Sequence, residues 1–103
     1  MMMSTEAIRN LKDLRHWREQ ILAIASQHQA RRIFVFGSVA RGDAHGDSDI
    51  DFLVDFEEGS RLTDHIRLLQ DLRELLSCSV DVVDRRALRP ELRDIVLEEV
   101  RRL

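Results

Sequence analysis

In the first part of the chain, apolar side chains recur at spacings of three and four: Ile8, Leu11, Leu14, Trp17, Ile21, Ile24 and Ala25. One stripe of this kind predicts helix over residues 5–29, in one or two pieces, with Ser4 or Thr5 capping its start. The pattern then changes. Arg31-Arg32-Ile33-Phe34-Val35-Phe36 ends in a continuous apolar run, which reads as a buried strand terminated by Gly37. Ser38 to Arg41 suit a short helix closed by Gly42, and residues 42–48 are polar and glycine-bearing, as in a loop. From Asp49 the period falls to two. Ile50, Phe52, Val54 and Phe56 form one apolar face, and Asp49, Asp51 and Asp55 lie on the other, interrupted by Leu53.

After a turn at residues 57–60 the helical period returns over residues 62–76, with Leu62, Ile66, Leu69, Leu72 and Leu76 expected inward. Ser79 to Asp84 form a short valine-rich strand. Pro90 suits the first turn of a last helix, with Leu92, Ile95, Val96, Leu97, Val100 and Leu103 as its inner face. Strands alternating with helices predict an α/β fold, a small mixed β-sheet with packed helices. We find no repeat and no linker, so residues 1–103 are expected to form a single domain: a helical segment over 1–29 and a core over 30–103.

Composition narrows the function. The chain has 103 residues, 34% of them charged with both signs interspersed, and a net charge of -3. Its isoelectric point near 5.8 argues against direct nucleic-acid binding, which favours basic domains. Cys78 is the only cysteine, so no disulfide forms within the chain; with no long apolar run, a cytoplasmic location is expected.

Candidate chemistry centres on Phe36 to Asp51. A strand runs into Gly37-Ser38, and ten residues later Asp49 and Asp51 open the next strand on one face. Two like charges at the head of an apolar strand oppose its propensity and suit a cation held between them. Asp81, flanked by Val80 and Val82, joins them if the two strands are neighbours with their pleats in phase; otherwise it is an exposed strand residue. Such hard oxygen donors fit Mg²⁺ or Mn²⁺ with phosphates completing the shell. A pair of such ions about 3.5–4 Å apart activates an attacking oxygen and stabilises a leaving pyrophosphate. Gly37 lets backbone N–H groups approach a phosphate, and Ser38 adds a hydroxyl. Arg41 either neutralises triphosphate charge or pairs with Asp43 or Asp47. There is no Walker sequence, no zinc-ligand spacing around His45, no base assignable to Ser38 and no histidine partner for Cys78.

Gly37-Ser38, ten residues, then Asp49-Ile50-Asp51 resembles the signature of the DNA polymerase beta-like nucleotidyltransferase superfamily. The fuller run Gly-Ser-Val-Ala-Arg-Gly-Asp-Ala, with Ser48-Asp49-Ile50-Asp51 and Val80-Asp81-Val82-Val83, is similar to its minimal nucleotidyltransferase (MNT) family. The resemblance spans residues 30–103 and implies the nucleotidyltransferase α/β core. Gly37 and Ser38 would hold the phosphates of ATP, Asp49 and Asp51 would bind Mg²⁺, and Asp81 would be a third metal ligand or the base on the acceptor hydroxyl. The implied reaction is transfer of AMP with release of pyrophosphate. The implied partner is a HEPN-family toxin, adenylylated on a tyrosine by its MNT antitoxin. The core uses up the chain, so the acceptor site is expected from another chain, in a homo- or hetero-oligomer. An antitoxin acting by contact alone, and an enzyme modifying a small molecule such as an aminoglycoside, are the alternatives.

Overall fold

The computed structural model describes residues 8–45 and 49–103. Helices α1 (Leu11–Arg15) and α2 (Arg18–Gln27) lead into strand β1 (Ala30–Phe36), short helix α3 (Gly37–Arg41) and strand β2 (Ile50–Phe56). Helix α4 (Leu62–Leu76), strand β3 (Val80–Asp84), a 3₁₀ turn (Arg85–Ala87), helix α5 (Pro90–Glu99) and strand β4 (Arg101–Arg102) follow. The four strands lie in the order β3-β2-β1-β4. β1 is antiparallel to β2 and β4, whereas β2 and β3 are parallel, joined through α4. The α/β mixed sheet expected from the alternating periods is therefore present.

One face of the sheet makes the core. Ile33 and Val35 of β1, Ile50, Phe52, Val54 and Phe56 of β2, and Val80 and Val82 of β3 are buried against Leu14, Ile21 and Ala25 from the first two helices and Leu68, Leu72 and Leu76 from α4. At about 25 cal/mol per Å² of apolar surface removed from water, this layer is the main source of stability. His28, which caps the end of α2, meets Asp71 of α4 at 2.6 Å and ties the two covering helices together. His65 stacks on Phe56, with ring centroids 5.5 Å apart, and its Nε2 lies 3.0 Å from the Val82 carbonyl. None of the helices is long and apolar enough to cross a membrane, among the described residues.

The N-terminal stripe forms two helices. The break falls at Trp17, which leaves helical geometry at φ −105°, ψ 10°, while its half-buried ring packs on the core. Asn10 caps α1, its Oδ1 accepting the Asp13 N–H at 2.9 Å; the expected caps Ser4 and Thr5 lie outside the described residues.

Two apolar faces differ from expectation. In α4 the buried stripe is Leu68, Leu72 and Leu76, while Leu62 is 74% and Ile66 44% exposed. His65 occupies the sheet-facing position near the helix start, so Ile66, one residue on, is turned 100° away. In the last helix no residue is fully buried; Leu92 and Ile95 are 51% and 59% exposed. That helix stops at Glu99. Val100 turns extended, and Arg101 and Arg102 pair with Val35 and Phe34 of β1. Pairing satisfies backbone groups that β1 would otherwise leave open, and it carries Leu103 into the core as a residue beyond a strand, not as part of a helical face.

Candidate active site

The second face of the sheet carries the polar groups. In the parallel pair β2/β3, Asp51 stands in register with Asp81, and Leu53 with Val83. In the antiparallel pair, Phe36 stands opposite Asp51 and Phe34 opposite Leu53. Residues in register project to the same side. Asp51 and Asp81 are thus neighbours at one strand spacing, beside a short apolar row of Phe34, Leu53 and Val83. The condition set for Asp81, adjacent strands with pleats in phase, is met. Asp49 lies just before β2, exposed.

Because Phe36 is opposite Asp51, β1 delivers Gly37 directly against that aspartate. Gly37 has φ +75°, and a Cβ built there would collide with Oδ2 of Asp51. Two constraints therefore require glycine at this position, a left-handed backbone and the close approach of a carboxylate. Gly37 opens α3, which places Ser38 in its first turn, and Gly42 closes the helix at φ +83°. The N–H of Gly42 donates to the Ser38 carbonyl at 2.9 Å, satisfying the helix end.

Asp51 is half-buried, and its carboxyl is pushed up to about 6. Loss of hydration is the first cause, the charges of Asp81 and Asp49 the next; Arg41 opposes them and Glu99 adds to them. The three predicted carboxylates therefore act on one another electrically, the condition that a bound cation would relieve. Among the described residues no three His, Cys, Asp or Glu side chains converge into a ready-made metal cage. The donor set, all hard oxygens, fits Mg²⁺ or Mn²⁺ with phosphate oxygens supplying the remaining positions.

Arg41 is engaged by acids: its Nη1 donates to Glu99 Oε1 at 2.8 Å and its Nε to Asp43 Oδ2 at 3.3 Å. Pairing with Asp43 was one of the two expected roles; Asp47 lies outside the described residues. Glu99, at the end of α5 and 58 positions from Arg41, was not foreseen, since nothing local in the sequence marks it. It links the last helix to the site. Cys78 has its thiol pushed up by burial and by Asp49, in keeping with a half-buried structural cysteine.

A mixed sheet with in-register aspartates beside a strand–glycine–helix turn agrees with the nucleotidyltransferase core that the sequence resemblance implies. The chain belongs to the nucleotidyltransferase domain family, whose model matches residues 18–103. It is 41% identical over 90 residues to the protein adenylyltransferase MntA of Thermococcus cleftensis, covering 80% of this chain and 91% of that protein. Its fold superposes on the structure of a proposed minimal nucleotidyltransferase with a TM-score of 0.82 and 51% identity, over 91% of this chain and 96% of the other. A toxin-antitoxin crystal structure with AMP-PNP is similar at a TM-score of 0.70 and 27% identity, over 82% and 69% of the two chains.

Proposed function

We propose that the chain is an Mg²⁺-dependent protein adenylyltransferase, the antitoxin of a HEPN/MNT pair, which moves AMP from ATP to a tyrosine of its toxin in the cytoplasm. The observation that carries this reading is the register of Asp51 with Asp81, with Gly37 pressed against Asp51. The names of the similar proteins, a protein adenylyltransferase and a toxin-antitoxin assembly with an ATP analogue, support the acceptor and the nucleotide.

In this reading Asp49 and Asp51 hold the divalent cation, and Asp81 either completes its ligands or accepts the acceptor proton. When bound, the cation neutralises the triphosphate and the charge developing on it. Gly37 admits the phosphates close to the backbone, and Ser38 donates to them. The acceptor hydroxyl oxygen bonds to the α-phosphorus, the bond from that phosphorus to the bridging oxygen breaks, pyrophosphate leaves, and the hydroxyl proton passes to a carboxylate or to water. Arg41, held between Glu99 and Asp43, is placed to exchange those acids for phosphate oxygens.

Incubation of the chain with labelled ATP, Mg²⁺ and the product of the neighbouring gene, the candidate HEPN protein, tests the proposal. Label should appear on a tyrosine of the HEPN protein and disappear with Asp49→Ala combined with Asp51→Ala. Label that persists in the double variant overturns the assignment of these residues.

A further inference from the structure

A cleft of about 500 Å³ lies between the first two helices and the β1–β4 edge of the sheet, lined by Arg15, Arg18, Arg31, Arg32 and Arg102 together with apolar side chains such as Leu22 and Ile33. Five arginines and no acidic residue is an unusual lining for a chain whose net charge is -3 with those arginines included. Among the described residues, the only ion pair made by any of the five is Arg32 with Asp55, at 3.8 Å. Arg15 is fixed in place: its Nε donates to the Leu103 carbonyl at 3.1 Å and its Nη2 to the Arg102 carbonyl at 2.9 Å. Arg32 stands in register with Asp55 and leans on it, which leaves Arg18, Arg31 and Arg102 to meet an anion. Arg18 is also the first residue of the ten-residue helix α2. A cation there opposes the positive helix end, and an anion in the cleft would satisfy both.

The cleft is distinct from the carboxylate site. Arg32 and Phe36 stand at opposite ends of β1, roughly 14 Å apart at the rise of a strand, and the cleft opens at the β4 edge, away from β3.

We propose that this cleft is a second binding site, for a compact oligophosphate. Planar guanidinium forks bind phosphate oxygens in pairs, and several of them together require an anion with several charges close to one another. Volume and charge both favour a compact ligand over a nucleic-acid strand: the cleft measures about 500 Å³, and the net charge of -3 on the whole chain works against an extended polyanion. Leu22 and Ile33 offer an apolar wall, so the oligophosphate is either free or the tail of a nucleoside triphosphate. The two share the chemistry that the arginines recognise.

Calorimetric titration without divalent cation, at low salt, tests the site with inorganic tripolyphosphate and with ATP in separate arms. The protein is the Asp49→Ala, Asp51→Ala variant, so that the proposed active site contributes little. Tripolyphosphate should bind, and Arg18→Ala with Arg31→Ala should weaken it at least tenfold. The same arginine pair placed in the native chain should leave AMP transfer unchanged. ATP binding more tightly than tripolyphosphate identifies a nucleotide site, and equal affinity a free oligophosphate site; both support the cleft. Should the arginine pair disturb the circular dichroism spectrum, Arg18→Ala alone, at an exposed position, should still weaken tripolyphosphate at least threefold. Affinity untouched by these substitutions overturns the proposal. So does a single-stranded RNA 20-mer that binds more tightly than tripolyphosphate and is lost in the same variant.

Discussion

The two faces of one small sheet are built on opposite terms. Toward α2 and α4, every strand residue is apolar, buried and replaceable only by something of similar volume. On the other side Asp51 and Asp81 stand side by side, and Asp51 bears a carboxyl whose ionisation the fold resists. The first face lowers the free energy of the native state, and the second raises it locally. A single strand, β2, supplies both by alternation: Ile50, Phe52, Val54 and Phe56 to one, Asp51, Leu53 and Asp55 to the other. The acidic face can therefore be kept against its own repulsion, because the register that places it is set by the burial of the opposite side.

Substitutions that separate the faces give the largest effects. Asp49→Ala with Asp51→Ala should lower AMP transfer by about 10³-fold, on the order of 4 kcal/mol in the barrier, while the chain stays as stable in urea as the native protein or more so. Leu72→Ala, at a fully buried position on the core face, should do the reverse. About 2–5 kcal/mol of stability is lost, and transfer per folded molecule is retained. A large loss of stability in the aspartate variant would show that the faces are not separable in this way.

Gly37 sits where the faces meet the turn. Gly37→Ala forces a Cβ into a left-handed backbone and against the Asp51 carboxylate, at a cost of about 1–3 kcal/mol. Chemical denaturation measures that cost, and transfer should fall by more than the stability loss explains, because Asp51 must move.

The acidic face also predicts a pH dependence. Asp51 is raised from 3.8 to about 6 in the folded chain, so the native state binds this proton more tightly than the unfolded one. Its contribution to stability is then greatest at pH below 3.8 and is lost as pH climbs through 6. Solvent screening at a half-buried site reduces the effect to about 1 kcal/mol. Asp51→Asn should remove this decline in a series of melts without divalent cation, and millimolar Mg²⁺ should reduce it in the native chain but not in the variant.

The smallest effect tests the corrected face of α4. Leu62→Ala, at a largely exposed position, should change stability by less than about 0.5 kcal/mol. A cost near that of Leu72→Ala would restore Leu62 to the core.

Much of this was legible beforehand, for local reasons. Period two over residues 50–56 sorts core from polar side chains without knowledge of any neighbour, and a glycine after an apolar strand marks a tight turn. Helix faces were less legible. Leucines are frequent enough in α4 to draw more than one stripe, and His65 settled which one faces the sheet. In the last helix the apolar spacing continues to Leu103, yet the chain leaves the helix at Val100 because an unpaired edge of β1 is available to it.

By itself the sequence determined the strands and helices up to Asp84 and the turn at Gly37, since each follows from backbone geometry over a few residues. Tertiary structure alone decided that Asp81 stands beside Asp51, that Glu99 reaches Arg41, and that five arginines from three separate segments line one cleft. Those relations depend on strand order, register and helix docking. Packing of the whole chain sets all three, and no short stretch encodes them.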